Sequence, residues 1–427
     1  MGDVIIGAGA GGIGCVETLR KLDDKREITV VAPESGPPYS RPMLYYALAK
    51  KIPLKGIYFR GDEFYLKNGI RFINGLVVNV DTDSRKVILD GGSEIPFDNL
   101  VIAAGGVPRF PSIKGIDKDG VCGFRTVENL KIIISYAEDS KNAVVLGGGN
   151  IGLLAAEGLY YRGVKSAVVV KSPHLLSQLA DAETSEIFRH HLEDNGLTIE
   201  TGFDVVEILG NERVEAVVLD DGRELPCQMV VVGKGIKPDL SIVEGSGIDC
   251  DWGIIADEYM MTSVEGIYCA GDVAEVLDRL TGIRTTVGIW PAAFEQGQYA
   301  AYNIMGHKRA YSGAVRMNSS EFFGLNLMSL GIVKPKSDDF TFHTKRRGNY
   351  YLKLVFKDNR LWGAILVGDI KAAGVLNSLI KSRVDVSSVM DDLMEGDIDF
   401  GKITGLLNQA ELGGLSREHN EMTTSLE

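Results

Sequence analysis

Two short glycine-rich runs are the residues of this chain whose types and spacing point most directly to chemistry. The first reads GAGAGG at residues 7–12, and the second reads GGGNIG at residues 147–152. In a G-x-G-x-x-G run, the first glycine permits a tight turn, the second lets backbone N–H groups approach a pyrophosphate, and the third lets the following helix pack closely. The unpaired donors and positive dipole of a helix N-terminus then favour the phosphates.

The segments on either side of each run must hold these glycines in place. DVII at residues 3–6 and AVVL at residues 143–146 precede the runs, and such apolar segments are typical of strands buried on both faces of a parallel sheet. One glycine run alone is a weak signal, because glycine also marks ordinary turns. Two runs between a strand and a helix predict that the chain binds two dinucleotides.

The order of segments indicates that one plan is used twice. The first half begins with a strand, a glycine turn and a helix, and ends with LVIAAGGVP at residues 100–108. The second begins at Ala143 and ends with VVVGKGIKP at residues 230–238. Each ending is a strand followed by a glycine-proline loop, so we expect an α/β fold with two Rossmann-like dinucleotide-binding domains.

Composition excludes several classes of function. The 427 residues suffice for about three domains, and the net charge of −13 argues against a nucleic-acid partner. Since no apolar run approaches the ~18 residues needed for a membrane span, none is expected. The N-terminus has no basic region or cleavage site of a signal peptide, so a cytoplasmic location is expected.

The cysteines and histidines form no site pattern. The five cysteines show no CxxC spacing, and neither they nor the six histidines form a metal-ligand cluster. We therefore expect small, buried cysteines in a reducing compartment, and no bound metal. His190 and His191 are expected on the solvated face of a helix over residues 182–193.

Several further segments resemble the pyridine nucleotide-disulfide oxidoreductase superfamily, and within it the rubredoxin and ferredoxin reductase-like branch. The segments that carry this resemblance, in addition to the glycine runs, are PYSRPML (38–44), AAG (103–105), GIYCAGD (266–272), WP (290–291) with EQG (295–297), and NSSEFFGL (318–325).

The resemblance implies a domain plan and two cofactors. It places an FAD domain at residues 1–115 and 250–310, with an NAD(P)H domain at residues 116–249 inserted into it. A C-terminal α+β domain at residues 311–427 would form interfaces, and its polar tail beyond Gly413 would fray or contact a partner. The oligomeric state stays open between a homodimer and a hetero-oligomer.

The resemblance also assigns residues to the cofactors. Gly7, Gly9 and Gly12 would hold the FAD pyrophosphate, and Glu34 would accept from the adenosine ribose. The other expected FAD contacts are Arg41, Ala104, Gly105, Gly271 and Asp272. The second pyrophosphate would rest on Gly147, Gly149 and Gly152. Glu157, further along the same helix, is expected to be merely solvated.

The departures from the family pattern narrow the chemistry. Relatives that reduce disulfides carry cysteine on the helix after PYSRPML, whereas residues 43–51 contain none, and disulfide exchange requires a thiolate. Many relatives flank the nicotinamide with a Lys and a Glu, where this chain has Tyr46 and Leu154. Tyr46 has two open interpretations, a gate stacked near the flavin and ordinary packing, and no catalytic residue is assigned.

Nucleotide choice depends on the end of the strand after the second glycine run. Relatives that prefer NADH place an acid there for the ribose 2′-hydroxyl, whereas this chain has Val170 followed by Lys171. As a ligand of a 2′-phosphate, Lys171 would favour NADPH. As a solvated lysine, it would give no preference.

We therefore expect an enzyme in which NAD(P)H reduces FAD, and FAD passes electrons to a redox protein or an iron–sulfur subunit. The basic residues that could steer such a partner are Lys334, Lys336, Lys345, Arg346 and Arg347. As the alternative, residues 345–349 would simply form a solvated hairpin tip. Three alternatives stay open: an electron-transferring subunit with a degenerate nicotinamide site, an NAD(P)H oxidase, and a flavin-binding scaffold.

Overall fold

The computed structural model describes residues 2–396 and 401–408. These residues form two compact units, the first made of residues 2–173 and 196–314 and the second of residues 174–195, 315–396 and 401–408. The domain boundaries expected at residues 115, 249 and 310 stay a prediction, and the tail beyond Gly413 lies outside the described residues.

The first part of the chain, in order, contains β1 (Asp3–Ile6), α1 (Ala10–Leu22), β2 (Ile28–Ala32), α2 (Leu44–Leu48), α3 (Phe64–Lys67), β3 (Ile70–Asn74), β4 (Val77–Asp81), β5 (Lys86–Leu89), β6 (Glu94–Pro96), β7 (Asn99–Ile102) and β8 (Gly106–Pro108). The second part contains β9 (Val121–Gly123), α4 (Val127–Asp139), β10 (Asn142–Leu146), α5 (Asn150–Tyr160), β11 (Lys165–Val170), α6 (Ala182–Asp194), β12 (Thr198–Thr201), β13 (Val205–Leu209), β14 (Ala216–Leu219), β15 (Glu224–Pro226), β16 (Met229–Val232) and β17 (Ile236–Pro238). The remaining elements are β18 (Ile254–Ile255), β19 (Ile267–Cys269), β20 (Ala274–Leu277), β21 (Arg284–Thr286), α7 (Trp290–Ile304), β22 (Met317–Phe322), β23 (Leu325–Gly331), β24 (Thr341–Arg347), β25 (Tyr350–Lys357), β26 (Arg360–Val367), α8 (Ala373–Ser382) and α9 (Met390–Glu395).

Two five-stranded parallel sheets carry the glycine runs. The first has the order β19-β7-β1-β2-β3, and the second has the order β12-β11-β10-β16-β9. Every residue of β1 is buried, as are all four residues of β16, because strands covered on both faces need continuous apolar runs. Strand β19, which pairs with β7, comes after all the strands of the second sheet in the sequence. The segment that forms the second sheet is therefore inserted in the sequence of the first.

The two glycine-proline loops, which the sequence marks as equivalent, pair with each other. β17 and β8 are antiparallel, with Ile236 opposite Pro108 and Pro238 opposite Gly106. A Cβ atom at Gly106 would lie 2.5 Å from the carbonyl oxygen of Lys237, so glycine permits this close approach. The endings of the two halves are thereby joined directly.

The second unit is an antiparallel sheet in the order β22-β23-β26-β25-β24, with α8 beside it. Helix α6 belongs to this unit: the hydroxyl of Tyr351 donates to Asp181 Oδ2 at 2.8 Å, and the rings of Phe188 and Phe322 lie 5.4 Å apart. Burial raises the pKa of Asp181, but hydrogen bonds from Thr184 and Tyr351 and the charge of Lys353 outweigh it and hold that pKa below its ordinary value. With these two sheets and this domain, the predicted fold class is confirmed.

Two local expectations are corrected in this unit. Lys345, Arg346 and Arg347 do not form the hairpin tip, because β24 continues through Arg347 and the turn is at residues 348–349. His191 is half-buried rather than solvated, with Nε2 3.0 Å from the carbonyl oxygen of Phe322. His190 is exposed, as expected.

Candidate functional site

The first glycine of each turn makes a close approach that no side chain allows. Gly7 and Gly147 have φ of 104° and 109°, in a region that glycine alone enters without strain. A Cβ atom at Gly7 would lie 2.2 Å from the carbonyl oxygen of Ala103, and one at Gly147 would lie 2.8 Å from that of Gly233. Each turn is therefore pressed against the end of the neighbouring parallel strand.

The third glycine of each run is needed for close packing, whereas the second leaves space for a ligand. A Cβ atom at Gly12 would lie 2.0 Å from the Gly7 carbonyl oxygen, and one at Gly152 would lie 1.9 Å from that of Gly147. Beside Gly9 and Gly149, by contrast, no atom of the described residues lies within 4 Å of that position. These two glycines cap the N-termini of α1 and α5 without any side-chain hydrogen bond, so both turns leave helix N–H donors and space for a phosphate.

Glu34 and Arg41, predicted separately as FAD contacts, are brought together by the fold. Glu34 lies two residues beyond β2, where its Oε2 accepts from the Tyr39 hydroxyl at 2.6 Å and its Oε1 from Arg41 Nη2 at 3.0 Å. Burial, opposed by the charge of Arg41 and aided by Glu34, raises the pKa of the Tyr39 hydroxyl and keeps it a donor. The carboxylate is thus held at the end of the second strand.

Arg125 organises the remaining predicted FAD contacts. Its Nη2 donates to Asp272 Oδ2 at 2.7 Å. The same Nη2 also lies 3.3 Å from the position that a Cβ atom of Gly105, the residue after Ala104, would occupy. The Arg125 carbonyl oxygen accepts from Arg41 Nη1 at 2.9 Å. The sequence reasoning missed Arg125, because no motif marks it and its partner Asp272 is distant in the chain.

Helix α7 presents a buried donor at its N-terminal end. Further along the helix, the backbone N–H of Gly271 donates to Gln296 Oε1 at 2.8 Å. Trp290 Nε1 has no hydrogen-bond partner among the described residues. Buried donors normally have partners, so this atom fits a polar ligand such as a flavin.

The second turn has a different set of charges at the end of its second strand. Lys171 follows β11, is largely exposed, and its Nζ lies 3.8 Å from Asp204 Oδ2. Lys234 Nζ donates to Asp204 Oδ1 at 2.6 Å. The sequence reasoning found Lys171 but missed Asp204 and Lys234, which come from other loops of the same sheet.

Tyr46 lies on α2 with 37% of its surface exposed, and its ring meets that of Tyr45 edge-on at 5.0 Å. The expected solvation of Glu157 is wrong. Its side chain is fully buried, and its Oε1 pairs with Lys51 Nζ at 3.3 Å. Lys51 also donates to the Tyr45 hydroxyl at 2.6 Å. A Lys–Glu pair therefore does join the segment just after α2 to α5, at positions beyond Tyr46 and Leu154 in the sequence.

All five thiols are unpaired, and four of them are buried, Cys250 being the exposed one. Burial raises the pKa of Cys122 to about 12, and burial, opposed by a backbone hydrogen bond, raises that of Cys227 to about 12. Burial also raises the pKa values of Cys15, Cys250 and Cys269. A reactive thiolate therefore has no suitable environment here.

Three of the five basic residues that were expected to steer a partner have partners within the second unit. Lys345 Nζ donates to the Glu395 carbonyl oxygen at 2.5 Å, and Arg346 Nη1 lies 3.2 Å from Glu183 Oε1. Lys334 bonds to the carbonyl oxygen of Ser177. Among the described helices, none is long and apolar enough to cross a bilayer.

Comparison with known families assigns most of the chain. Residues 3–297 match the family described as pyridine nucleotide-disulphide oxidoreductase, and residues 317–384 match the rubredoxin NAD+ reductase C-terminal domain. The assimilatory nitrate reductase electron transfer subunit of Bacillus subtilis is 32% identical over 92% of this chain. The chain spans only 51% of that relative's length.

Two further proteins match along most of their own length. The NADH-dependent phenylglyoxylate dehydrogenase subunit epsilon of Aromatoleum evansii is 28% identical, over 93% of this chain and 96% of its own. A solved NAD-dependent persulfide reductase from A. fulgidus is 26% identical, with a TM-score of 0.87 over 98% of this chain and 84% of that one.

Proposed function

We propose that this chain, which belongs to the pyridine nucleotide-disulphide oxidoreductase family, is an FAD-dependent NAD(P)H oxidoreductase that passes electrons to an external redox protein or iron–sulfur subunit. The observation that carries the proposal is the pair of open spaces beside Gly9 and Gly149, each at a helix N-terminus, in one unit. The five cysteines are scattered and unpaired, which favours an external acceptor over an internal disulfide. The relative that is named as an electron transfer subunit also supports an external electron acceptor.

In the proposed mechanism, the chain binds and orients while the cofactors react. The chemistry that FAD would supply when bound is acceptance of a hydride from NAD(P)H and release of single electrons. Gly7, Gly9 and Gly12 hold one pyrophosphate, and the second turn holds the other. Arg125 keeps the Asp272 carboxylate in place beside the first turn, and Glu34 offers its remaining lone pairs to ribose hydroxyls. Hydride transfer requires alignment and no protein base.

The finer assignments belong to the same proposal. Lys171 favours NADPH through a 2′-phosphate, and five free thiols fit a reducing compartment such as the cytoplasm. Tyr46 is half-exposed near the Lys51–Glu157 pair, which suits a side chain that gates the nicotinamide position. The three-domain division follows the two parallel sheets and the C-terminal sheet.

A second function is favoured by one specific observation. Tyr46 and Leu154 stand where many relatives carry the Lys and Glu beside the nicotinamide, so the second turn could serve a subunit that receives electrons from a partner. The relative named subunit epsilon belongs to such a multi-subunit dehydrogenase.

An anaerobic stopped-flow titration of the purified FAD-loaded protein with NADPH and with NADH separates these functions. Rapid loss of oxidised-flavin absorbance with either nucleotide is expected. If dithionite bleaches the flavin and neither nucleotide does, the chain is an electron-transfer subunit. Peroxide formation at rates near those with an iron–sulfur acceptor would instead identify an oxidase.

A further inference from the structure

Three charged residues from three different segments meet at the carboxyl edge of the second sheet. Lys171 follows β11, Asp204 follows β12 and Lys234 follows β16. Each lysine faces one oxygen of the Asp204 carboxylate, at 3.8 Å from Lys171 and 2.6 Å from Lys234. We call these three residues the edge cluster, and its formal charge is +1.

The edge cluster lies where the adenosine end of a dinucleotide must rest. In this fold the residue that reads the ribose 2′ position stands at the end of the strand after the glycine turn, which here is Val170. The backbone N–H of Gly202 donates to the carbonyl oxygen of Val170 at 2.8 Å, which sets Asp204 beside that strand end. An acidic residue, which position 170 itself lacks, is therefore supplied by Asp204 from a neighbouring loop.

Lys234 connects the cluster to the phosphate turn itself. Its backbone nitrogen lies 3.3 Å from where a Cβ atom of Gly147 would be, and its side chain reaches Asp204. Since β16 and β11 lie on opposite sides of β10, this side chain passes the end of β10, from which the turn begins. Lys234 is only 26% exposed and Asp204 only 24%, so both are held rather than freely solvated.

We propose that Asp204 is the residue that discriminates between NADH and NADPH, an inference that rests on the proposed function. Its carboxylate keeps lone pairs that can accept from a ribose 2′-hydroxyl, and it repels a 2′-phosphate while compensating the two lysines. Asp204 therefore restrains the preference for NADPH that Lys171 and Lys234 alone would create. Its position relative to the strand end makes it a specificity-determining residue.

The test compares Asp204→Asn with Asp119→Asn in the FAD-loaded protein. Asp119 is exposed and pairs with Arg213 at 3.3 Å. It precedes β9, at the amino end of the strands of the same sheet, so its substitution makes the same change in net charge at the edge opposite the edge cluster. The probes are 2′,5′-ADP and 5′-AMP, which differ by the 2′-phosphate, and titration calorimetry gives their dissociation constants. Thermal unfolding verifies that each variant is folded.

Removal of one like charge near a phosphate should shift the ratio of the two dissociation constants about tenfold toward 2′,5′-ADP in Asp204→Asn. The ratio should stay constant in Asp119→Asn. An unchanged ratio in Asp204→Asn, or an equal shift in both variants, would overturn the inference and leave the proposed function intact. If the wild-type protein binds neither fragment and neither full nucleotide, the proposed function fails and the inference fails with it.

Discussion

The two glycine turns of the first unit have the same backbone and different charges around it. In both, the first and third glycines are packed against carbonyl oxygens and the second faces open space. At the first turn, Glu34 lies just beyond the second strand and is held by Arg41 and Tyr39. At the second, Asp204 comes from another loop and is held between two lysines. In the function proposed above, the turn binds the phosphates, and the surrounding side chains distinguish one nucleotide from another.

The largest effect is expected where the two turns are alike. Gly12→Ala and Gly152→Ala each place a methyl group within about 2 Å of a carbonyl oxygen, so the helix must shift, and we expect the free energy of unfolding to fall by about 3 kcal/mol. Gly9→Ala and Gly149→Ala are the matched controls, with expected losses below about 1 kcal/mol. Urea unfolding measures all four, and equal losses at second and third glycines would contradict the shared plan.

The next effect concerns the Lys51–Glu157 pair, which joins the segment after α2 to α5. Lys51→Met leaves a fully buried carboxylate without its cation and should cost about 3 kcal/mol of unfolding free energy. Glu157→Gln leaves a lysine that is 28% exposed and can be hydrated, so about 1 kcal/mol is expected. Urea unfolding measures the free energy of unfolding of both variants. A larger loss of that free energy in Glu157→Gln than in Lys51→Met would contradict the view that the carboxylate is more deeply buried than the ammonium group.

Selective loss of one cofactor would sharpen the comparison further. Glu34→Gln removes the carboxylate that Arg41 and Tyr39 hold at the first turn, and FAD affinity should fall about tenfold, since one charged hydrogen bond is worth about 1.5 kcal/mol or more. Affinity for 5′-AMP at the second turn should not change. Glu63→Gln, which removes an exposed acid in the same unit, is the control. Flavin fluorescence after dilution measures the release of FAD. An equal loss of FAD affinity in Glu63→Gln would show that the effect of Glu34→Gln does not depend on the contacts of Glu34 at the first turn.

The smallest effect is expected at Lys171. Because this lysine is 80% exposed and 3.8 Å from its partner, Lys171→Met should weaken NADPH binding only about threefold, as for a solvated ion pair. NADH binding should stay the same. Calorimetric titration with each nucleotide checks this, and an equal change for both would show that Lys171 does not sense the 2′-phosphate.

The glycine turns and the fold class were predictable because their signals are local. Gly7, Gly9 and Gly12 lie within one turn of chain, and the apolar runs beside them need no distant partner to form strands. Arg125, Asp204 and Lys234 could not be found in this way, since each gains its role from a partner in another segment. Arg125 is 147 residues from Asp272, and no spacing rule joins them.

The misjudged residues have the same cause. Glu157 is an ordinary charged residue on a helix, and the sequence does not show that Lys51 will neutralise it on the side facing α2. Gly158 tightens this contact, because a Cβ atom there would lie 2.7 Å from the side chain of Leu48. The charges of Lys345 to Arg347 predict an exposed turn, because charged residues usually mark such tips. In the structure, β24 instead extends through them as the edge strand of its sheet.

The return of β19 to the first sheet has a consequence for the newly made chain. Ile267 must pair beside Leu100, so the first sheet stays incomplete while the ribosome makes the whole of the second. At 5–20 residues per second this interval lasts roughly 10–30 s, and contacts so distant in sequence form slowly. During that time the edge of β7 awaits its neighbour, and the early chain is the stage most exposed to wrong strand pairing and to chaperone capture.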